Sequence, residues 1–193
     1  MLGLQLATDP RWVDIAQKDI GEILTDHAYC EQKAASSGIS LIIRYAEHPE
    51  IVEAVTPLVA EEWGHFRRVL KELKKRGFEL GKARKDEYVI RLFEFQRRGG
   101  DKGLQMIEEL LTFALIEARS CERFRLLSLH ISDPNLRSFY HEFMVSEAGH
   151  YRMFIDLARH FMDRESVDKR WNEYLEFEAK MIQTLEWRSD RVH

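Results

Sequence analysis

The feature that most limits how this 193-residue chain can fold is a repeated placement of carboxylates and imidazoles inside long stretches poor in glycine and proline. Glu62-Trp63-Gly64-His65 and Glu147-Ala148-Gly149-His150 are both Glu-x-x-His units. A single glutamate precedes each one, Glu31 by 31 residues and Glu117 by 30. On an α-helix a three-residue step stacks carboxylate and imidazole on one face, one turn apart. One Glu-x-x-His unit is expected roughly by chance in a chain so rich in glutamate. The signal is the matching glutamate at the matching distance in each half.

The helix boundaries follow from punctuation. Thr8-Asp9-Pro10 reads as a helix start. Helical patterns then run over about 19–47, ending near Pro49, and about 50–76, with a bend expected near Pro57 and a stop at Gly77. A shorter amphipathic helix is expected over 82–98, closed by Gly99-Gly100. Two more long helices follow, about 102–130 and, after Asp133-Pro134, to about 161. A last amphipathic helix over about 167–187 is expected to pack outside the main bundle. Helices of this length span roughly 40 Å. The fold class expected is therefore all-α, a four-helix bundle with additional peripheral helices. One domain over 1–193 is expected, with its core at about 19–161.

Glu31 and Glu117 each fall mid-helix among apolar or small residues, in AYCEQKAA and FALIEARS. A charge at mid-bundle is costly unless a partner or a metal neutralises it. Four carboxylates and two imidazoles converging from four helices would neutralise two divalent ions. One Glu from each of two helices and Glu-x-x-His from the other two is the ligand set of di-iron carboxylate bundles. The expected metal ligands are Glu31, Glu62, His65, Glu117, Glu147 and His150. The mixed donor set favours iron or manganese over zinc, which takes four ligands, and over magnesium, which seldom recruits imidazole. A ferrous pair can reduce dioxygen to an oxidant able to attack C–H bonds. Glu61 points about 100° from Glu62 and has no histidine three residues on, so it is left out. His27, one turn before Glu31, is a candidate to stand behind the ligands, and Cys121 reads as core.

Other chemistries find no support. There is no Gly-rich phosphate loop, GxSxG, CxxC or strand–helix alternation. No run of eighteen apolar residues is present, and the N-terminus lacks a basic segment ahead of an apolar one. Two cysteines suit a reducing compartment. A cytoplasmic protein without membrane association is expected.

The formal charge is −4, yet residues 67–98 hold twelve Lys or Arg against five Asp or Glu. Such asymmetry permits contact with a polyanion, though a solvated helical face would look the same. Arg68, Lys75, Lys82, Arg84 and Lys85 are the candidate contacts, with Arg119, Arg123, Arg125 and Arg152 next in line.

The stretches DHAYCEQKAASSGISLI, EEWGHFRRVL, LIEARSCERF and SEAGHYRMF carry a resemblance to the bacterial tRNA 2-methylthio-N6-isopentenyladenosine hydroxylases, the MiaE family. It covers nearly the whole chain, and all six metal positions agree. The resemblance implies a ferritin-like, non-haem di-iron monooxygenase. Such an enzyme uses dioxygen and two electrons from a ferredoxin- or flavodoxin-type donor to hydroxylate the isopentenyl chain of a modified adenosine beside the tRNA anticodon. The tRNA anticodon arm is the implied partner and a monomer or small oligomer the implied state. Phe113, Phe124, Phe143, Met144 and Phe154 are candidates to line an apolar pocket, and equally bundle core. The fold itself also hosts rubrerythrin-like peroxidases and ferritin-type iron storage, which stand as the alternatives.

Overall fold

The computed structural model describes residues 3–186 and 192, and among them every regular element is helical. The elements are α1 (Arg11–Ala16), α2 (Ile20–Arg44), α3 (Pro49–Lys75), α4 (Glu87–Phe95), α5 (Lys102–His130), α6 (Pro134–Phe161) and α7 (Arg164–Ile182). Five of them start on aspartate. Asp19, Asp86, Asp101, Asp133 and Asp163 each accept a backbone N–H from the first turn that would otherwise lack a partner. Pro49 and Pro134 open α3 and α6, where a missing N–H costs nothing.

The described residues fall into two compact units. One comprises residues 14–85 with Val192; the other comprises 3–13 and 86–186.

In the first unit α2 packs along α3. The contact is closest at Gly38, where a Cβ would lie 2.6 Å from Val59 Cγ2, so any side chain there would push the helices apart. Ile23, Leu24, Ala28, Leu41, Ile51, Val55, Val69 and Leu73 form the core of this hairpin. α3 runs on through Pro57, which is exposed, so solvent can meet the carbonyl that proline leaves without a donor. It ends on Gly77 at φ 79°, with Phe78 N–H donating to Leu73 O (3.0 Å) and Gly77 N–H to Lys74 O (3.1 Å). This paired closure needs a left-handed residue, which glycine supplies without strain.

In the second unit α5 packs on α6, and α7 lies against both. Phe124 anchors an aromatic cluster, 5.5 Å from Tyr140 and 5.9 Å from Phe143 between ring centres. α7 is tied down by charge: Arg170 donates to both oxygens of Glu108 at 2.7 Å, and Arg119 donates to Glu178.

Two helices differ from the sequence expectation in their bounds. The helix expected over 82–98 begins only at Glu87, because Asp86 caps it through Val89 N–H. The preceding residues run without helix, held at Gly81 O by the Tyr29 hydroxyl (2.9 Å). The last helix starts at Arg164, capped by Asp163, and ends at Ile182. Trp187, its expected end, lies outside the described residues.

Candidate metal centre

In the first unit Glu31 on α2 and Glu62 and His65 on α3 turn inward, all buried, Glu62 at 1 % exposure. They offer ligand atoms within 4.8 Å of one another. His65 Nδ1 stands 3.2 Å from Glu31 Oε2 and 3.6 Å from Glu62 Oε2. In the second unit Glu117 on α5 and Glu147 and His150 on α6 are likewise buried, with ligand atoms within 4.8 Å of one another. His150 Nδ1 stands 3.6 Å from Glu147 Oε2, the separation found in the other Glu-x-x-His unit. The three-residue step thus does the same thing twice. It directs a carboxylate oxygen and Nδ1 of an imidazole toward one point from one helix face.

The donor set fits a divalent cation of iron type. Carboxylate oxygens and imidazole nitrogens, buried and gathered at bonding range, suit a mixed N/O metal site. Without a cation, so many carboxylates at this depth would carry a heavy desolvation cost.

Three neighbours refine the picture. His27 is fully buried, and its Nε2 lies 2.7 Å from Glu31 Oε1. Glu61, set aside on sequence grounds, reaches within 3.8 Å of His65 Nε2 while its side chain stays 50 % exposed. Each pair is four residues apart, one helical turn; that spacing points to His27 in the sequence, whereas the three-residue pattern passes over Glu61. Cys121 is buried and donates its thiol to Met144 O at 3.2 Å. Burial, then the nearby Glu147 and Glu122 carboxylates, push the thiol up to about 11, which keeps it protonated and a poor ligand.

Residues 2–193 match the protein family described as tRNA-(MS[2]IO[6]A)-hydroxylase (MiaE). The chain belongs to this family. Among MiaE relatives, the tRNA 2-(methylsulfanyl)-N(6)-isopentenyladenosine(37) hydroxylase of Pseudomonas putida is 36% identical over 160 residues, covering 83% of this chain and 77% of that one. The protein of the same name from Salmonella typhimurium is 26% identical over 228 residues, covering 93% of this chain and 83% of its own length. A solved structure, Protein 43 with aldehyde deformylating oxygenase activity from Synechococcus, matches with a TM-score of 0.92 and 34% identity. That match covers 98% of this chain and 94% of the other. The fold is accordingly the ferritin-like four-helix class with peripheral helices.

The basic candidates divide sharply once burial is known. Lys82 and Lys85 are exposed, while Arg68 is half-buried. Arg84 pairs with Glu22, and Lys75 lies 3.6 Å from Glu72. Arg119 and Arg123, expected to extend a basic surface in the MiaE chain, are buried and cannot do so. Arg119 is held by Glu178 and Glu122, and the Arg123 guanidinium lies 4.8 Å over the Trp12 ring. Burial, with Arg119 close by, lowers the Arg123 guanidinium to about 10. Arg125 and Arg152 remain exposed. Of the residues considered for an apolar pocket, Phe124 and Phe143 belong to the aromatic core of the second unit, and Phe113 packs on Phe154 at 5.5 Å.

Proposed function

We propose that this chain is a di-iron monooxygenase that hydroxylates the isopentenyl group of 2-(methylsulfanyl)-N(6)-isopentenyladenosine in tRNA. The observation that carries the reading is the twofold occurrence of one buried Glu/Glu-x-x-His set in a chain of the MiaE family. Family membership supports the substrate, which the fold alone does not select.

In this reading Glu31, Glu62 and His65 from one hairpin, and Glu117, Glu147 and His150 from the other, together hold two irons. When bound, an iron pair would supply the two-electron activation of dioxygen that hydroxylation of a C–H bond needs. The residues of the chain provide charge and order. Four carboxylates offset the charge of two ferrous ions. His27 donates from Nε2 to Glu31, since an ionised carboxylate only accepts, and so fixes the orientation of that carboxylate. The apolar residues flanking each set exclude water, which preserves the strength of these contacts.

Two electrons come from a ferredoxin- or flavodoxin-type donor. The protein works as a monomer or small oligomer in the cytoplasm, where its tRNA is found. Among the described residues no helix is long and apolar enough to cross a membrane.

The test is mass analysis of nucleosides from tRNA carrying the isopentenyl modification, after incubation with iron-loaded protein, dioxygen and a reductant. Gain of one oxygen atom on that nucleoside alone is expected. Unchanged nucleosides with rapid peroxide consumption would instead mark a peroxidase.

A further inference from the structure

α3 presents two faces of opposite character. Glu62 and His65 point inward, while Trp63, between them in sequence, turns outward with 49 % of its surface exposed. The indole is braced by Phe66, with ring centres 5.0 Å apart and planes 37° apart. Along the same outward stripe, at steps of four, four and three residues, stand Arg67, Lys71 and Lys74, all exposed. Steps of three and four keep side chains in line on a helix, so these residues form one row about 16 Å long.

The row carries three of the exposed cations of the basic segment. Arg76 and Lys75 share Glu72, and Arg84 is paired with Glu22. Arg67, Lys71 and Lys74 make no ion pair or side-chain hydrogen bond among the described residues.

We infer that this row on α3 is the contact for an unpaired RNA loop, Trp63 stacking on a base and Arg67, Lys71 and Lys74 holding the adjoining phosphates. The inference rests on the tRNA reading above and names the surface that reading leaves open. Single-stranded RNA is gripped in this way, by aromatic platforms for splayed bases and cations along the backbone. A duplex stem would satisfy the cations but offers no free base to the indole, so the loop is the better fit.

The test uses the iron-loaded full chain and a fluorescent anticodon-arm RNA hairpin, with affinity measured by anisotropy at several salt concentrations. Trp63→Ala should weaken binding roughly 5- to 150-fold while leaving the salt slope unchanged, because stacking releases no counterions. Trp63→Phe should recover most of that loss. The triple change Arg67→Glu, Lys71→Glu, Lys74→Glu should flatten the log–log salt slope by about two units, at roughly 0.7 per contact. On a blunt RNA duplex without a loop, Trp63→Ala should have no effect. Iron content and helical circular dichroism, matched to wild type, exclude misfolding as the cause. Wild-type affinity and slope in both variants would overturn the inference and leave the hydroxylase reading intact. A wild-type protein that binds no hairpin would remove the tRNA reading and this inference with it. A fall in mass on light scattering for Trp63→Ala would show that the indole serves contact between copies of the chain, again overturning it.

Discussion

His27 Nε2 lies 2.7 Å from Glu31 Oε1, a hydrogen bond between two buried side chains one turn apart on α2. A carboxylate gripped in this way cannot swing freely, so one metal oxygen is positioned before any ion arrives. Groups that orient metal ligands from behind typically matter 10- to 100-fold in affinity or activity. His27→Ala should therefore weaken ferrous binding by about that factor, measured by competition with a chelator. Unchanged iron affinity would show that the contact only fills space.

Iron-loaded protein should contain about two irons per chain by elemental analysis. Glu31→Ala and Glu117→Ala, one in each half-set, should each lower that content, and His65→Ala or Glu147→Ala should abolish hydroxylation. Glu61→Ala should preserve both iron and activity. Its carboxylate is half in solvent and 3.8 Å from His65 Nε2, beyond hydrogen-bonding range, so water can take its place. A Glu61→Ala protein devoid of iron would require redrawing the ligand set.

Arg119 is fully buried and donates through Nε and Nη2 to the two oxygens of Glu178, at 2.7 and 2.9 Å. Glu122 also pairs with Arg119, so removing Glu178 leaves the guanidinium with one of its two carboxylates. Glu178→Gln should cost about 1–3 kcal/mol, seen as a lower urea midpoint with iron content retained. Arg119→Met should cost more than Glu178→Gln, because it strips both Glu178 and Glu122 of their shared cation.

Acid should loosen α7 first. Burial alone would raise the Glu108 carboxyl, but Arg170, the Arg97 backbone N–H and the Tyr174 hydroxyl outweigh it and hold it below its ordinary 4.5. Arg159 holds Asp168 below 3.8, and Arg170 with Arg97 holds Glu173 below 4.5. A depressed carboxyl gives the folded state an advantage above its ordinary pKa, lost as pH falls through the lowered value. Stability should therefore be level from neutrality to about pH 4.5 on this account and fall below it. In Glu108→Gln the urea midpoint should start lower at pH 7 and decline less steeply through the acid range. An acid limb identical to wild type would place the sensitive groups elsewhere.

Local pattern was enough for the helices and for the charged pairs within them. The helix starts expected at about 19, at about 102 and after Asp133 agree with the structure, where Asp19, Asp101 and Asp133 cap them through contacts between residues two or three apart. The same locality makes Glu62 with His65, and Glu147 with His150, readable without coordinates: helical geometry fixes the three-residue step. The match between the two halves also pointed to Glu31 and Glu117, whose place beside those pairs is a matter of hairpin packing. Which arginines carry charge at the surface could not be read in this way. Arg119 and Arg67 are alike as letters on amphipathic helices, yet one is sealed against Glu178, 59 residues away, and the other faces water. Arg170 likewise finds Glu108 across 62 residues and ties down α7. Such partners are brought together only by the packing of whole helices, and desolvation, which decides whether a charge is available to a ligand, depends on that packing and not on neighbours in sequence.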